Sequence, residues 1–131
     1  MERFIEIEST VSNICKVEDF ITVVFNDFNL SEKLFSKVYL SVNEAVNNAF
    51  FHGNNGDASK KVTIRFYNDI TFFHFLIEDE GFGFNYSLID NPISSSNIRR
   101  ESGRGIFIMN QYADSVSFLN NGSVVKLIFK K

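Results

Sequence analysis

The 131-residue sequence predicts an α+β two-layer sandwich, in which helices cover one face of a mixed, mainly antiparallel sheet. Two stretches in the first half repeat apolar residues at three- and four-residue steps, the period of an amphipathic helix. Several shorter stretches alternate apolar and polar residues and are bounded by turn residues, as strands are. The predicted order of elements is β-α-α-β-β-loop-α-β-β, without internal repeats.

The first half of the chain predicts one strand followed by two helices. Residues Phe4 to Ser9 alternate apolar and polar side chains and indicate a short strand. Apolar residues recur with the helical period from Val11 to Phe28. The second helix follows Ser31, a suitable N-cap, and ends at Gly53, because glycine commonly terminates helices.

The second half predicts two hairpins separated by a long loop and a short helix. The first hairpin pairs Val62 to Phe66 with Thr71 to Asp79, and the second spans Val116 to Phe129. The stretch from Glu80 to Ser102 is rich in breakers and predicts a loop, and the helix is expected over Gly105 to Tyr112. A loop of this length in a compact domain indicates a lid or a binding element.

Composition indicates one globular domain over residues 1–131. Hydrophobic residues make up 44% of the chain and charged residues 22%, and 16 Phe residues supply large apolar surfaces for a core. The formal net charge of -3 lacks the positive field that nucleic acids require, so DNA and RNA are discounted as partners.

The chain is expected to be cytoplasmic and without membrane partners. The lone Cys15 cannot form an internal disulfide, and the start MERFIEIES lacks the apolar run of a secretory signal. No stretch approaches the roughly 20 apolar residues that cross a bilayer.

The first candidate motif is a pair of polar residues in the second predicted helix. Glu44 and Asn48 are four residues apart and therefore project from one helix face. The Asn48 amide oxygen suits a hard cation such as Mg²⁺, and the Glu44 carboxylate can accept a proton from an attacking hydroxyl. A solvated polar helix face is the alternative interpretation of this pair taken alone.

The second motif, DEGFGF, directly follows an apolar strand. Asp79 can accept a hydrogen bond from an exocyclic amine such as that of adenine. Gly81 and Gly83 allow the backbone to pass close to a flat ring. An ordinary turn is the alternative.

The third motif, SGRG, is predicted to enter the short helix. Backbone amides at Gly103 and Gly105, together with the positive end of the helix dipole, would favour a phosphate group. Arg104 adds a charged donor. An ordinary loop-to-helix junction has the same sequence pattern.

Taken together and in this order, EAVNNAFFHG, DEGFGF and SGRGIFIMNQYAD resemble the GHKL ATPases, and within them the bacterial anti-sigma factor serine kinases. The resemblance covers nearly the whole chain and implies the Bergerat ATP-binding fold, with ATP and Mg²⁺ as cofactors. It implies that Asn48 is the Mg²⁺ ligand, Glu44 the catalytic base and Asp79 the adenine contact. It also implies an ATP lid over Phe84 to Ser102 and nucleotide-loop roles for Gly81, Gly83, Gly103 and Gly105.

The same resemblance implies a role in transcription regulation. Such a protein would sequester a sigma factor, phosphorylate a serine of a STAS-type anti-sigma antagonist, and could form a homodimer. Some kinases of that family carry an Arg where this chain has Glu101. A transferred phosphoryl group needs a positively charged partner, but this partner need not come from one fixed position in the sequence. The missing arginine could therefore be replaced by Arg99, Arg100 or Arg104.

Three alternatives remain open at this point. The Glu101 departure allows a non-catalytic, ATP-dependent partner-switching module. The catalytic domain of a two-component histidine kinase would need a phospho-accepting histidine, and neither His52, at a helix end, nor His74, expected in the core or at an edge, fits that role. The third alternative is a structural domain whose motifs are coincidental.

Overall fold

The computed structural model describes residues 2–81 and 97–131, and over 97–104 it describes the backbone. The elements follow the predicted order. They are β1 (Glu2–Glu8), α1 (Cys15–Asp27), α2 (Phe35–Asn48), β2 (Lys61–Asn68), β3 (Phe72–Glu78), α3 (Asn97–Tyr112), β4 (Ser115–Leu119) and β5 (Val124–Lys130).

The described strands form one five-stranded sheet in the order β1-β2-β3-β5-β4. Every described pairing is antiparallel, with registers such as Ile5 opposite Ile64, Phe66 opposite Phe75, and Phe75 opposite Leu127. The predicted two-layer α+β sandwich is confirmed. The sequence predicted a mixed, mainly antiparallel sheet, and the described pairings are all antiparallel.

The core lies between one face of this sheet and the helices. Alternate strand residues such as Ile64, Phe66 and Phe75 are fully buried, since successive strand side chains point to opposite faces. On the helix side, Val17, Ile21 and Val24 of α1 are equally buried, and so are the apolar residues along one face of α2. The buried aromatic rings contact one another edge-on or stacked, as Phe73 and Phe129 do at 5.4 Å between ring centroids. Many of the phenylalanines in the sequence therefore serve the core.

The second helical region has a special turn at each end. Ser31 caps a 3-10 turn over Glu32–Leu34 by accepting a hydrogen bond from the Lys33 N–H at 3.3 Å. At the other end the helix widens into a π-turn over Ala49–Gly53. The predicted cap and the predicted end at Gly53 are both confirmed, and the π-turn directs the following residues back toward the sheet.

The third helix corrects the sequence prediction. α3 begins at Asn97, whereas the sequence predicted a loop up to Ser102 and a helix from Gly105. Residues 97–102 contain neither Gly nor Pro and include Arg and Glu, which favour helices, so the helix extends to Asn97 despite Gly103 and Gly105. Gly83 and the predicted lid up to residue 96 lie outside the described residues.

Within residues 2–81 and 97–131, no helix is long and apolar enough to cross a membrane.

Candidate functional site

The end of α2 and the middle of α3 bring Glu44, Asn48 and Gly105 together. A Cβ atom built on Gly105 would lie 3.1 Å from Glu44 Oε2 and 3.5 Å from both the oxygen and the nitrogen of the Asn48 amide. The bare Cα of Gly105 therefore lies against both polar side chains. The structure places the first and third sequence motifs side by side.

Asn48 has the burial and the unmet hydrogen-bonding capacity of a ligand-binding residue. Its side chain is only 5% exposed, and its Nδ2 has no hydrogen-bond partner among the described residues. A buried polar group left unpaired costs roughly 1–3 kcal/mol, so such groups call for an explanation. A ligand that offers an acceptor to Nδ2, such as a phosphate oxygen, would satisfy it.

Five residues beyond Asn48, the π-turn carries Gly53 against the carboxylate of Asp79. A Cβ atom on Gly53 would overlap that carboxylate, and one on Gly81 would overlap the Gly53 carbonyl oxygen. Asp79 Oδ1 accepts a hydrogen bond from the Gly81 N–H at 2.8 Å. Two glycines are therefore needed for the strand-end loop to pack against the π-turn.

Burial raises the pKa of Asp79 above the usual aspartate value. The hydrogen bond from the Gly81 N–H opposes this rise, the neighbouring charge of Glu78 adds to it, and Lys60 opposes it. The side chain is 7% exposed, so water solvates the carboxylate poorly. A ligand that donates a hydrogen bond to this carboxylate, as an exocyclic amine does, would favour its charged form.

Sequence reasoning missed two residues that build this part of the site. Gly53 was interpreted only as a helix stop, and Asn54 was not singled out. Asn54 is fully buried and hydrogen-bonds to three different segments. Its position directly after a helix-ending glycine was the available signal, but loop sequences carry no periodicity from which burial can be inferred.

The third motif lies inside α3, and the prediction that Gly105 begins this helix is wrong. In an α-helix each N–H donates to the carbonyl four residues earlier, so the amides of Gly103 and Gly105 are committed within the helix as it stands. Gly105 itself is buried against α2. The side chain of Arg104 lies outside the described part of the chain, so its role stays a prediction.

The two histidines occupy different places in the fold. His52 belongs to the π-turn. His74 projects from the outer face of β3, the middle strand of the sheet, so the expectation of a core or edge position is wrong. Burial, followed by the charge of Lys126, lowers the pKa of His74, with Asp69 opposing them.

A protein-family model described as the histidine kinase-like ATPase domain matches residues 7–129. The chain belongs to this family. A search of curated proteins gave no match. The match spans almost the whole chain and establishes an ATP-binding domain of the GHKL type. It agrees with the resemblance drawn from the three motifs.

The residues of this ATPase domain fit ATP and Mg²⁺. Asn48 offers a buried amide with an unpaired nitrogen, and the bare backbone at Gly105 lets α3 lie close to it. The described residues hold no cluster of three or more His, Cys, Asp or Glu side chains that could bind a metal. Mg²⁺ in nucleotide sites needs no such cluster, since it takes one or two protein ligands together with phosphates and water.

Proposed function

We propose that this ATPase domain is a protein serine kinase that phosphorylates an anti-sigma antagonist and sequesters a sigma factor in the cytoplasm. The observation that carries the proposal is the placement of the Glu44 carboxylate beside the Asn48 amide at Gly105. The choice of protein substrate and partner is supported by the likeness of all three motifs to the anti-sigma factor serine kinases.

Asn48 is the proposed metal ligand. Its amide oxygen would hold Mg²⁺, and its unpaired Nδ2 would donate to a phosphate oxygen. ATP would supply the γ-phosphoryl group, and the metal would neutralise charge on the phosphates during transfer. The buried position of Asn48 fixes the amide in place before ligands arrive, which reduces the ordering needed on binding.

Glu44 is the proposed general base. It lies one helical turn before Asn48 on the same face of α2, so its carboxylate is adjacent to the proposed phosphate site. From there it can accept the proton of a substrate serine hydroxyl as that oxygen attacks phosphorus.

Asp79 is the proposed adenine contact. Its carboxylate would accept a hydrogen bond from the exocyclic amine, while Gly81 keeps the adjacent backbone free of side chains. Phosphate binding by the amides of Gly103 and Gly105 would require α3 to begin later than Asn97, because those amides are otherwise bonded within the helix. Gly83 and Arg104 keep their proposed nucleotide-loop roles.

The test is phosphate transfer from γ-labelled ATP to a purified STAS-type antagonist. We expect label on an antagonist serine with the wild-type protein and a loss of about 100-fold or more with Glu44→Gln, the usual scale for a removed general base. Glu44→Gln should still bind ATP. Glu18→Gln, an exposed site on α1, is the matched control and should retain full transfer. Equal transfer by Glu44→Gln and wild type would overturn the catalytic assignment.

A second candidate function is a non-catalytic, ATP-dependent partner-switching module. It is favoured by Glu101, which stands where some family kinases carry an arginine near the terminal phosphate. Retention of γ-labelled ATP by the protein without transfer to any antagonist, together with nucleotide-dependent binding to a sigma factor, would support this function over the kinase.

A further inference from the structure

Asn54 is the centre of a buried hydrogen-bond network at the end of the π-turn. Its Nδ2 donates to Ser9 Oγ at 2.8 Å and to the Lys61 carbonyl at 3.1 Å. Its Oδ1 accepts from the Glu80 N–H at 2.8 Å. The Ser9 hydroxyl in turn donates to the Lys60 carbonyl at 2.8 Å. The side chain thus joins the ends of β1, β2 and β3.

The chemistry of this network requires a side chain that donates and accepts at the same time. The Ser9 hydroxyl gives its single hydrogen to Lys60, so its oxygen must receive a donor, and the Lys61 carbonyl requires one as well. The Glu80 N–H requires an acceptor. A carboxamide meets all three demands, whereas a carboxylate of the same size lacks both donors.

The Glu80 N–H belongs to the peptide that directly follows Asp79. On the other side, the Asp79 N–H donates to the Ser123 carbonyl at 2.9 Å. The Glu80 carboxylate also accepts from the Lys61 N–H. Asp79 is therefore fixed from Ser123, directly before β5, on one side and from Asn54 on the other, while Gly53 packs on its carboxylate.

We propose that Asn54 is a positioning residue that, through the Glu80 N–H, sets the Asp79 carboxylate for a purine bearing a 6-amino group. The inference rests on the proposed adenine role of Asp79. Removing the Asn54 acceptor leaves a part-buried amide unpaired, and the loop shifts to regain a partner. A hydrogen bond depends steeply on distance and angle, so a small shift of the carboxylate loses the amine contact.

The test measures the ratio of affinities for ATP and for purine riboside triphosphate, which lacks the 6-amino group. Wild-type protein should prefer ATP by about tenfold or more, the effect of one hydrogen bond to a charged group. Asn54→Ala should bring the ratio close to one. Ser9→Ala removes a single link of the network, preserves the Glu80 contact and should reduce the ratio by about two- to threefold.

Two controls separate positioning from folding and from the adenine role itself. Asn68→Ala alters an amide at the far end of β2 and should leave the ratio at its wild-type value. Asp79→Ala should collapse the ratio to one. A ratio unchanged in Asp79→Ala would overturn the adenine role of that residue and with it the basis of the inference.

A collapsed ratio in Asp79→Ala with wild-type ratios in Asn54→Ala and Ser9→Ala would overturn the positioning role alone. A lowered melting temperature with an unchanged ratio in the Asn54 variant would show that its network serves stability only. Should Asn54→Ala fail to fold, an unchanged ratio in Ser9→Ala would equally overturn the inference.

Discussion

Burial of Asp79 disfavours its charged form, and this lowers the stability of the folded protein when the carboxyl is ionised. Because its folded pKa is raised by burial, the folded protein binds a proton more readily than the unfolded chain does. Ionisation of Asp79 therefore destabilises the fold, and the loss grows as pH rises from the unfolded pKa through the folded one.

We expect Asp79→Asn to raise the melting temperature of the nucleotide-free protein at neutral pH while weakening ATP binding. The gain should vanish near pH 3, where the carboxyl is protonated in both states. Thermal melts across pH check this. Asp57→Asn is the control with opposite sign, since Ser59 hydrogen bonds lower the pKa of Asp57 and its charge stabilises the fold. A pH-independent gain in Asp79→Asn would contradict the account.

The two glycines at Asp79 give a second prediction at the residue scale. Gly53→Ala should lower ATP affinity by about five- to 150-fold, since the added methyl group overlaps the carboxylate and overpacking costs about 1–3 kcal/mol. Calorimetric titration with ATP measures it. Gly56→Ala is the control: its φ of 69° makes the substitution strained, yet open space surrounds it. It should lower stability and leave ATP affinity intact. Equal affinity in both variants would remove Gly53 from the site.

Residue-scale prediction from sequence was strongest where side-chain chemistry and helical spacing coincide. Glu44 and Asn48 were placed on one face by their four-residue separation, and the structure directs both to Gly105. Asn54 could not be found this way. Its role depends on the Ser9 hydroxyl and on the backbone groups of Lys61 and Glu80, which only the fold brings together.

At the scale of elements, the strands and the first two helices followed from periodicity and turn residues. The start of α3 did not, because two glycines near its middle indicated a boundary that tertiary packing overrides. A glycine suits position 105 of this helix because any larger residue there would press on Glu44 and Asn48. A single sequence does not distinguish a glycine that allows close packing from a glycine that ends a helix.

α3 gives a prediction of its own. Glu101→Pro removes a helical hydrogen bond and disfavours helix before residue 101, but leaves the remainder of α3 intact. The amides of residues 102 and 103 then lie unpaired in the first turn of the helix, which suits a phosphate. We expect tighter ATP binding by Glu101→Pro, measured by calorimetry.

The control for this variant is Glu101→Ala, which changes the same side chain and keeps the helix. It should bind ATP as the wild type does if the effect arises from the backbone. Weaker binding by Glu101→Pro would indicate that the full α3, beginning at Asn97, is the form that binds nucleotide.

At the scale of the whole molecule, the fold brings a helix end, a strand end and a second helix together on one side of the core. α2 contributes Glu44 and Asn48, its π-turn meets Asp79 after β3, and α3 adds Gly105. The family match over residues 7–129 covers all of these elements. The single domain over residues 1–131 and the homodimer stay predictions, which limited proteolysis and sedimentation equilibrium would test.

The most direct test of the site is calorimetric titration of ATP with and without Mg²⁺ on the wild type and on Asn48→Ala. We expect Mg²⁺ to strengthen ATP binding by the wild type, and this metal dependence to be lost in Asn48→Ala, which lacks the amide proposed to hold the metal. Absence of ATP binding by the wild type, or an equal Mg²⁺ effect in both proteins, would contradict the account.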